Sequence, residues 1–307
     1  MTVSRADHVF VVGLSRSGTT LVRHILNSHS QLAIAPESHY LGHQFPGAGV
    51  RAVLRRNFPD VTSDQAASTL VEFLYNGGLE GATRWRTPSR LWQWVQRRVP
   101  VDDLRERFLV SDRSERALFS VILAAYAEFK GKPIAGEKTP AHLYHVDTLL
   151  AWFPGGRVVQ MVRDPRAIFM SELRRRRRSP GAIPYRILAF VPAALDLLLL
   201  VQTTTAWRRA VRLAHRNEGR YPDRFRVLRF EDLLADPEHE VRGLARFLGV
   251  DYEDSMLDQQ VVSMGTRSGD AGFDRGAAER WRSGIPRWAD SWFGSTLKTD
   301  LKRLGYR

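Results

Sequence analysis

The residues best suited to chemistry lie in one stretch near the start of the chain, residues 9–29. It opens with four apolar residues, which predict a buried parallel strand. Gly13 and Gly18 bound the loop that follows, Arg16 lies inside it, and a helix is predicted after it. A strand, a glycine-bounded loop and a helix N-terminus direct backbone N–H groups at an anion, usually a phosphate. The stretch therefore predicts an anion site and leaves its ligand open.

The loop differs from the Walker A pattern of nucleoside triphosphatases at one position. That pattern places a lysine before its last Ser or Thr, whereas this chain has Thr19 there and carries the cation inside the loop, as Arg16. A nucleoside triphosphatase would lack the lysine that contacts its β- and γ-phosphates. A nucleotide without a γ-phosphate would not need that lysine. A plain glycine turn is the alternative, but it explains only the glycines.

Four further polar residues lie at or beyond the ends of predicted strands. Glu37 follows the second strand, Lys138 ends the third, and Arg163 follows the fourth, with Ser171 eight residues later. Because open α/β sheets bind ligands at the carboxyl ends of their strands, we expect these residues near the loop. Arg163 and Ser171 are spaced to contact a single group. The alternatives are a solvated loop residue or helix cap for Glu37 and ordinary surface charge for Lys138.

These elements predict an α/β fold with a central parallel sheet flanked by helices, in a single domain over residues 1–307. The predicted strands are residues 9–12, 31–35, 133–138, 157–162 and 225–230. Residues 42–113 are predicted to be a largely helical insertion, in which Trp85, Trp92 and Trp94 cluster. Such a cluster either packs a core or covers a substrate.

Residues 263–284 are rich in glycine, serine and arginine. This composition predicts a mobile loop that closes over a charged ligand, with Trp281 and Arg282 as its contacts to that ligand. A disordered surface loop is the alternative.

The composition indicates an anionic partner. The 307 residues include 46 Lys and Arg against 33 Asp and Glu, a net charge of +13. No zinc-ligand spacing or RNA-binding motif is recognisable, so nucleic acid is not expected. The absence of cysteine excludes disulfides and thiolate sites. The first residues do not have the pattern of a signal peptide, and we predict a cytoplasmic protein.

Five consecutive arginines at 174–178 precede the apolar residues 187–201. The apolar run is shorter than the roughly 18 residues that a membrane-spanning helix needs. A cationic patch beside apolar surface suits an amphipathic acceptor or peripheral contact with an anionic membrane. A packed core helix with a solvated arginine end is the alternative. The oligomeric state is open.

Four stretches together resemble the sulfotransferases that use 3′-phosphoadenosine 5′-phosphosulfate (PAPS), in their bacterial and Golgi-type branch. They are FVVGLSRSGTTL (10–21), GEKTP (136–140), VRDPRAIFMSEL (162–173) and LRFEDLLADPEHEVRGLARFLGV (228–250). The resemblance implies a fold like that of the P-loop nucleoside triphosphatases.

The resemblance also implies roles for the residues named above. The loop would bind the 5′-phosphosulfate through Arg16, Ser17, Gly18, Thr19 and Thr20. Arg163 and Ser171 would bind the 3′-phosphate, and Lys138 would stabilise the transferring sulfonate. Cytosolic members have a catalytic histidine where this chain has Pro140, and members of this branch use a glutamate base that matches Glu37.

The sequence thus predicts transfer of sulfonate from PAPS to a hydroxyl of a carbohydrate, glycolipid or other small-molecule acceptor, leaving 3′,5′-ADP. No metal is predicted, because His39, His43, His142 and His145 form no convincing ligand set. Two alternatives stay open at this point: an atypical P-loop kinase or nucleotide hydrolase, and a non-catalytic protein that binds nucleotides or polyanions.

Overall fold

A parallel sheet of five strands forms the centre of the protein in the computed structural model. The structure describes residues 5–42, 49–79, 89–181, 183–188, 190–263 and 266–306. The strands are β1 (His8–Gly13), β2 (Leu32–Ala35), β3 (Ile134–Lys138), β4 (Arg157–Val162) and β5 (Phe225–Arg229). Their order in the sheet is β2-β3-β1-β4-β5, and every neighbouring pair is parallel. The predicted α/β fold is confirmed.

The strands are mostly apolar and buried because helices cover both faces of the sheet. Every residue of β2, β3 and β4 is buried. Along β1, Phe10 and Val12 point into one hydrophobic core, and Val9 and Val11 point into the other. The alternation of one central strand therefore divides the interior into two layers.

Fourteen helices are present in the part of the chain that the structure describes. They are α1 (Thr19–Ser28), α2 (Val50–Asn57), α3 (Asp64–Tyr75), α4 (Arg90–Arg98), α5 (Val101–Leu109), α6 (Glu115–Phe129), α7 (Val146–Trp152), α8 (Pro165–Arg178), α9 (Ile183–Leu188), α10 (Pro192–Arg220), α11 (Phe230–Ala235), α12 (Pro237–Leu248), α13 (Arg287–Thr296) and α14 (Lys298–Arg303). Serine side chains cap the N-termini of α3, α4 and α6, as such polar residues commonly do.

The segment predicted as a helical insertion contains α2 to α5. Apolar residues of these helices share one core with Phe10 of the central strand. Trp92 is fully buried in that core, and Trp94 packs against it, whereas Trp85 and His43 lie outside the described residues. The two described tryptophans are therefore packing residues.

Two details differ from the sequence prediction. The apolar residues 187–201 do not form one helix, because α9 ends at Leu188 and Pro192 begins α10 after Val191. Residues 263–284 include part of an antiparallel pair of strands, β6 (Gln260–Ser263) and β7 (Thr266–Ala271), and a 3-10 turn at Arg275–Ala278. The mobility of this segment stays a prediction.

None of the helices in the described ranges combines the length and the apolar character that crossing a bilayer requires. The cytoplasmic location stays a prediction.

The strand order can be tested at Gly136 in β3, where a Cβ atom would lie 2.1 Å from the carbonyl oxygen of Val9. We expect Gly136→Ala to lower the free energy of unfolding by about 1–3 kcal/mol or more, because β1 and β3 would have to separate. Urea denaturation measures this. The control is Gly219→Ala on the exposed side of α10, where a Cβ would meet nothing within 4 Å. Equal denaturation midpoints for the two variants would contradict the pairing.

Candidate active site

The carboxyl edge of the sheet collects the polar residues that the sequence singled out. The loop from Gly13 to Gly18 follows the central strand β1, and Lys138 ends the neighbouring β3. Glu37 lies two residues beyond β2, and Arg163 is the first residue after β4. The next two strands of the chain, β2 and β3, lie on one side of β1, and the last two, β4 and β5, lie on its other side. The loop therefore lies at the switch point where such sheets bind ligands.

The backbone of the loop requires glycine at its end. Gly18 has φ 101°, and a Cβ atom there would lie 2.4 Å from the ring of Phe230. Arg16 also has a positive φ, 73°, which few residues other than glycine adopt. Such a conformation in a tight loop is a common feature of ligand sites.

Helix α1 begins at the end of this loop, and the N–H groups at its very start are free among the described residues. Gly18 is the N-cap and provides no side chain to cap the helix. The N–H groups of Gly18, Thr19 and Thr20 have no acceptor among the described residues. Together with the helix dipole, they form a site for an anion.

The side chains of the loop divide into two groups. Ser17 is buried, and its hydroxyl donates a hydrogen bond to the carbonyl of Leu14 at 2.7 Å, so it holds the loop together. Thr19, in the place of the Walker lysine, is also buried. Both the hydroxyl and the backbone N–H of Ser17 are thus committed to the carbonyl of Leu14, whereas Thr19 offers a ligand its backbone N–H group.

Arg16, Arg163 and Ser171 form what we call the arginine cluster. Nε of Arg16 donates to Oγ of Ser171 at 2.9 Å. The guanidinium of Arg163 donates to the carbonyl of Arg16 at 3.1 Å and to that of Ala277 at 2.7 Å. It also lies 4.1 Å from the ring centroid of Phe230. The structure therefore brings together the cation of the loop and both residues predicted after β4.

The electrostatics of this cluster favour an anionic ligand. Burial, together with the nearby charges of Arg16 and Arg174, lowers the pKa of Arg163 to about 10, although the carboxylate of Glu231 acts to raise it. Burial also lowers the pKa of Arg16. Nε of Arg163 is buried without a hydrogen-bond partner among the described residues. Like charges held close together, with one donor unused, are stabilised by an anion.

A second charged group, the Glu37–Lys138 pair, lies at the ends of β2 and β3. Nζ of Lys138 donates to Oε1 of Glu37, and Nε2 of His39 lies 3.3 Å from Oε2. Burial acts to raise the pKa of Glu37, but the hydrogen bonds and charges of His39 and Lys138 outweigh it and lower the pKa to about 2. Glu37 is therefore a carboxylate at neutral pH.

A buried network holds this pair in place, and its centre is Glu137 of β3. Oε1 of Glu137 accepts hydrogen bonds from the N–H of Ser38 at 2.8 Å, from its hydroxyl at 2.6 Å, and from the hydroxyl of Thr139. Nδ1 of His142 lies 3.4 Å from Oε2. Burial raises the pKa of Glu137, whereas His142 and the hydroxyl donors lower it, with a net downward shift. The residue next to Glu37 is thereby fixed to the strand that carries Lys138.

The sequence interpretation did not identify Glu137, although one signal was present. Glu137 interrupts a short buried strand, and a carboxylate in such a position requires hydrogen-bond donors. Its donors come from residues 38, 139 and 142, and only the folded chain brings residue 38 next to them.

Trp281 and Arg282, the two remaining predicted contacts, have other partners. The ring of Trp281 is buried, with the guanidinium of Arg166 4.3 Å from its centroid. Arg282 is exposed, and its Nε lies 3.4 Å from a carboxylate oxygen of Glu279. The structure does not bring these two side chains into the arginine cluster, and their contact with a ligand stays a prediction.

In the described parts of the chain, no three His, Asp or Glu residues lie close enough together to hold a metal ion. Independence from metal stays a prediction.

The role of Glu137 gives a test of the network. Because Leu41 N–H donates to Nε2 of His142, the proton of a neutral His142 is on Nδ1, facing Glu137. Glu137→Gln would turn an amide donor toward that proton or toward Ser38. We expect the free energy of unfolding to fall by about 1–3 kcal/mol, measured by urea denaturation. Glu106→Gln, at an exposed position of α5, is the matched control. Equal stability of the two variants would rule out the network as a constraint.

Solved structures similar to this chain have the same fold. The sulfotransferase domain of the Synechococcus PCC 7002 olefin synthase aligns with a TM-score of 0.53 and 18% identity, over 92% of this chain and 90% of that domain. The sulfotransferase domain of the curacin biosynthetic pathway aligns with a TM-score of 0.53 and 17% identity, over 99% of both chains.

Curated relatives are similar in sequence over part of their length. Omega-hydroxy-beta-dihydromenaquinone-9 sulfotransferase Stf3 of Mycobacterium tuberculosis is 31% identical over 145 residues, which cover 45% of this chain and 34% of that protein. Protein-tyrosine sulfotransferase 1 of Danio rerio is 22% identical over 255 residues, 83% of this chain and 56% of that protein. The match thus spans about a third of the mycobacterial relative. The sequence model of the Sulfotransferase family matches residues 8–254, and the chain therefore belongs to the sulfotransferase family.

Proposed function

We propose that this protein transfers the sulfonate group of PAPS to a hydroxyl of a small-molecule acceptor, without a metal. The observation that carries the proposal is that a cluster of cations and a carboxylate–lysine pair occupy adjacent strand ends. The arginine cluster lies beside the loop after β1, and the Glu37–Lys138 pair lies at the end of the neighbouring β3. The arginine cluster suits a nucleotide with anionic groups at both its 5′ and 3′ positions, and the Glu37–Lys138 pair suits the transfer of the sulfonate.

PAPS fits the charge of the site better than ATP does. The N–H groups at the start of α1 and the side chain of Arg16 suit the 5′-phosphosulfate, as the family resemblance implies. Arg163, with Nε unused, and the hydroxyl of Ser171 suit a 3′-phosphate, which ATP lacks. Buried Thr19 supplies no cation for a γ-phosphate, so the kinase alternative loses its support.

The transfer step needs a base and stabilisation of the leaving group. The acceptor oxygen forms a bond to sulfur while the bond from sulfur to the 5′-phosphate oxygen breaks, and that oxygen keeps the electron pair. The proton of the acceptor hydroxyl passes to a carboxylate oxygen of Glu37. Arg16 and the N–H groups of α1 stabilise the charge on the leaving 3′,5′-ADP, and Lys138 stabilises the bridging oxygen.

The Glu37–Lys138 ion pair explains how a carboxylate of low pKa can act as the base. In the free protein Lys138 donates to Glu37, which keeps the carboxylate ionised and weakly basic. When Lys138 turns toward the bridging oxygen of the donor, Glu37 loses that hydrogen bond and its affinity for a proton rises. The base therefore gains strength only when the donor is bound.

The acceptor is proposed only as a class. One relative is named for an omega-hydroxy menaquinone derivative and the other for protein tyrosine, and both names include a hydroxyl-bearing group. A hydroxyl on a carbohydrate or lipid-like molecule is consistent with Glu37 as the base. Incubation with PAPS, chelator and candidate acceptors, scored by mass spectrometry for one added sulfo group, tests the proposal.

Nucleotide binding gives a prediction that does not depend on the acceptor. We expect 3′,5′-ADP to raise the melting temperature, and ATP, with or without magnesium, to raise it far less, because Arg163 and Ser171 bind a 3′-phosphate. Arg163→Ala should weaken 3′,5′-ADP binding by about 2–3 kcal/mol in calorimetry.

Arg116→Ala is the matched control, because Arg116 is an exposed arginine of α6 that pairs with Asp112. It should leave the affinity unchanged. A larger rise of the melting temperature with magnesium-ATP than with 3′,5′-ADP would instead favour a kinase.

The base gives a second prediction. Glu37→Gln keeps the size of the side chain but removes the basic oxygen, so it should slow transfer at least about a hundredfold. Affinity for 3′,5′-ADP should change by no more than a few-fold, because Glu37 contacts Lys138 and His39 and not the arginine cluster. Single-turnover rates and calorimetry measure the two effects.

The pH profile separates Glu37 from His39 as the base. With the pKa of Glu37 at about 2 in the absence of donor, kcat/KM for PAPS should stay level on the acid side until the protein unfolds, since this ratio reports groups of the enzyme before PAPS binds. A histidine base would instead make kcat/KM for PAPS fall on the acid side, because a protonated imidazole cannot accept the proton. Such a fall, together with an active Glu37→Gln and an inactive His39→Ala, would reassign the base to His39.

A further inference from the structure

The end of α9, the start of α10 and the turn between them expose an unusual amount of apolar surface. Phe190 is 88% exposed, Leu197 57% and Val201 43%. We call the exposed residues the apolar patch: Ile187, Phe190, Val191, Leu197 and Val201. Large apolar side chains grouped in this way on a surface usually mark a site of interaction.

The opposite side of the same helix is apolar too. Leu195, Leu199 and Leu200 are buried in the core that α8 and α13 share with α10. A helix that is apolar all round is normally covered all round. Here the protein covers only one side, so the apolar patch lacks a cover in the described structure.

The charge around the patch is strongly positive. Residues 171–201 contain six arginines and only two carboxylates, Glu172 and Asp196. Those carboxylates are 15% and 14% exposed, whereas Arg177 is 54% exposed. Three more arginines of this segment are exposed: Arg174, Arg178 and Arg186. The surface therefore presents cations to solvent and turns its carboxylates inward.

Contacts between the helices fix these cations beside the patch. Arg177 of α8 donates to both carboxylate oxygens of Asp196 in α10 at 2.9 Å. The guanidinium of Arg176 lies 3.7 Å from the ring centroid of Tyr185 in α9. The hydroxyl of Tyr185 donates to Gln202 of α10 at 3.0 Å. The arginine run and the apolar patch thus form one continuous surface.

We propose that this surface docks the protein on an anionic lipid bilayer. Apolar side chains that enter the acyl boundary, flanked by arginines at the level of the headgroups, are the pattern of an interfacial helix. The surface also begins close to the active site, since Arg178 lies about 10 Å along α8 from Ser171 of the arginine cluster. Docking would bring that cluster near the bilayer.

Two other occupants fit this surface less well. A second copy of the chain, related by a two-fold axis, would bring two arginine runs close together, which like charge opposes. Nucleic acid would pair with the arginines but would leave the apolar patch exposed. Only an anionic bilayer offers both an apolar interior and negative charge.

Sedimentation of the full chain with vesicles tests the proposal. At low salt, we expect partitioning onto vesicles of phosphatidylcholine with phosphatidylglycerol to exceed that onto phosphatidylcholine alone at least about tenfold. Phe190→Ser/Leu197→Ser should reduce partitioning onto the anionic vesicles about tenfold, and so should Arg178→Gln/Arg186→Gln. High salt should weaken binding of the wild type.

Two matched controls distinguish vesicle binding by this surface from binding by any exposed apolar residue and from binding by net charge alone. Val110→Ser/Phe129→Ser removes exposed apolar residues elsewhere, and Arg242→Gln/Arg246→Gln removes the same charge from α12. Both should retain partitioning within about twofold. The melting temperature of each variant shows whether it folds.

Three results would overturn the proposal. The first is equal recovery of the wild type with the two kinds of vesicle. The second is an equal loss from the control arginines, which would mean that net charge alone causes binding. The third is a wild-type dimer in light scattering that Phe190→Ser/Leu197→Ser dissociates without changing vesicle binding, which would assign the patch to a second copy. Each is independent of transfer activity.

Discussion

Two guanidinium groups, those of Arg16 and Arg163, lie close together at the carboxyl edge of the sheet, and the surrounding structure holds them there. Burial disfavours their charge and lowers the pKa of both. The carbonyls of Arg16 and Ala277 and the face of Phe230 hold Arg163 without cancelling its charge. The fold thus holds two cations whose charge burial disfavours, an arrangement that a bound anion would stabilise.

The other half of the site depends on a different constraint. The Glu37–Lys138 pair joins the ends of two neighbouring strands, and the buried carboxylate of Glu137 fixes the segment after β2 by accepting from Ser38. Trp92, from the insertion, donates its indole N–H to the carbonyl of Ser38 at 3.0 Å. The insertion therefore contributes directly to the position of the proposed base.

Helix α8 connects the site with the outer surface. Ser171 contacts the loop arginine, Arg174 acts electrostatically on both arginines of the cluster, and Arg177 reaches Asp196 on α10. One helix thus carries positive charge from the arginine cluster to the apolar patch. This arrangement gives a physical reason for a run of arginines that the proposed transfer chemistry alone does not require.

The sequence by itself determined the fold class, the glycine-bounded loop and the strand ends that carry Glu37, Lys138 and Arg163, because periodicity and glycine spacing act over a few residues. Only the tertiary structure decided what depends on distant partners. Arg16 meets Ser171 across 155 positions of the chain, and the donors of Glu137 include one that is 99 positions away. The exposed side of α10 was likewise undetermined, because an apolar helix does not specify which of its faces the core will cover.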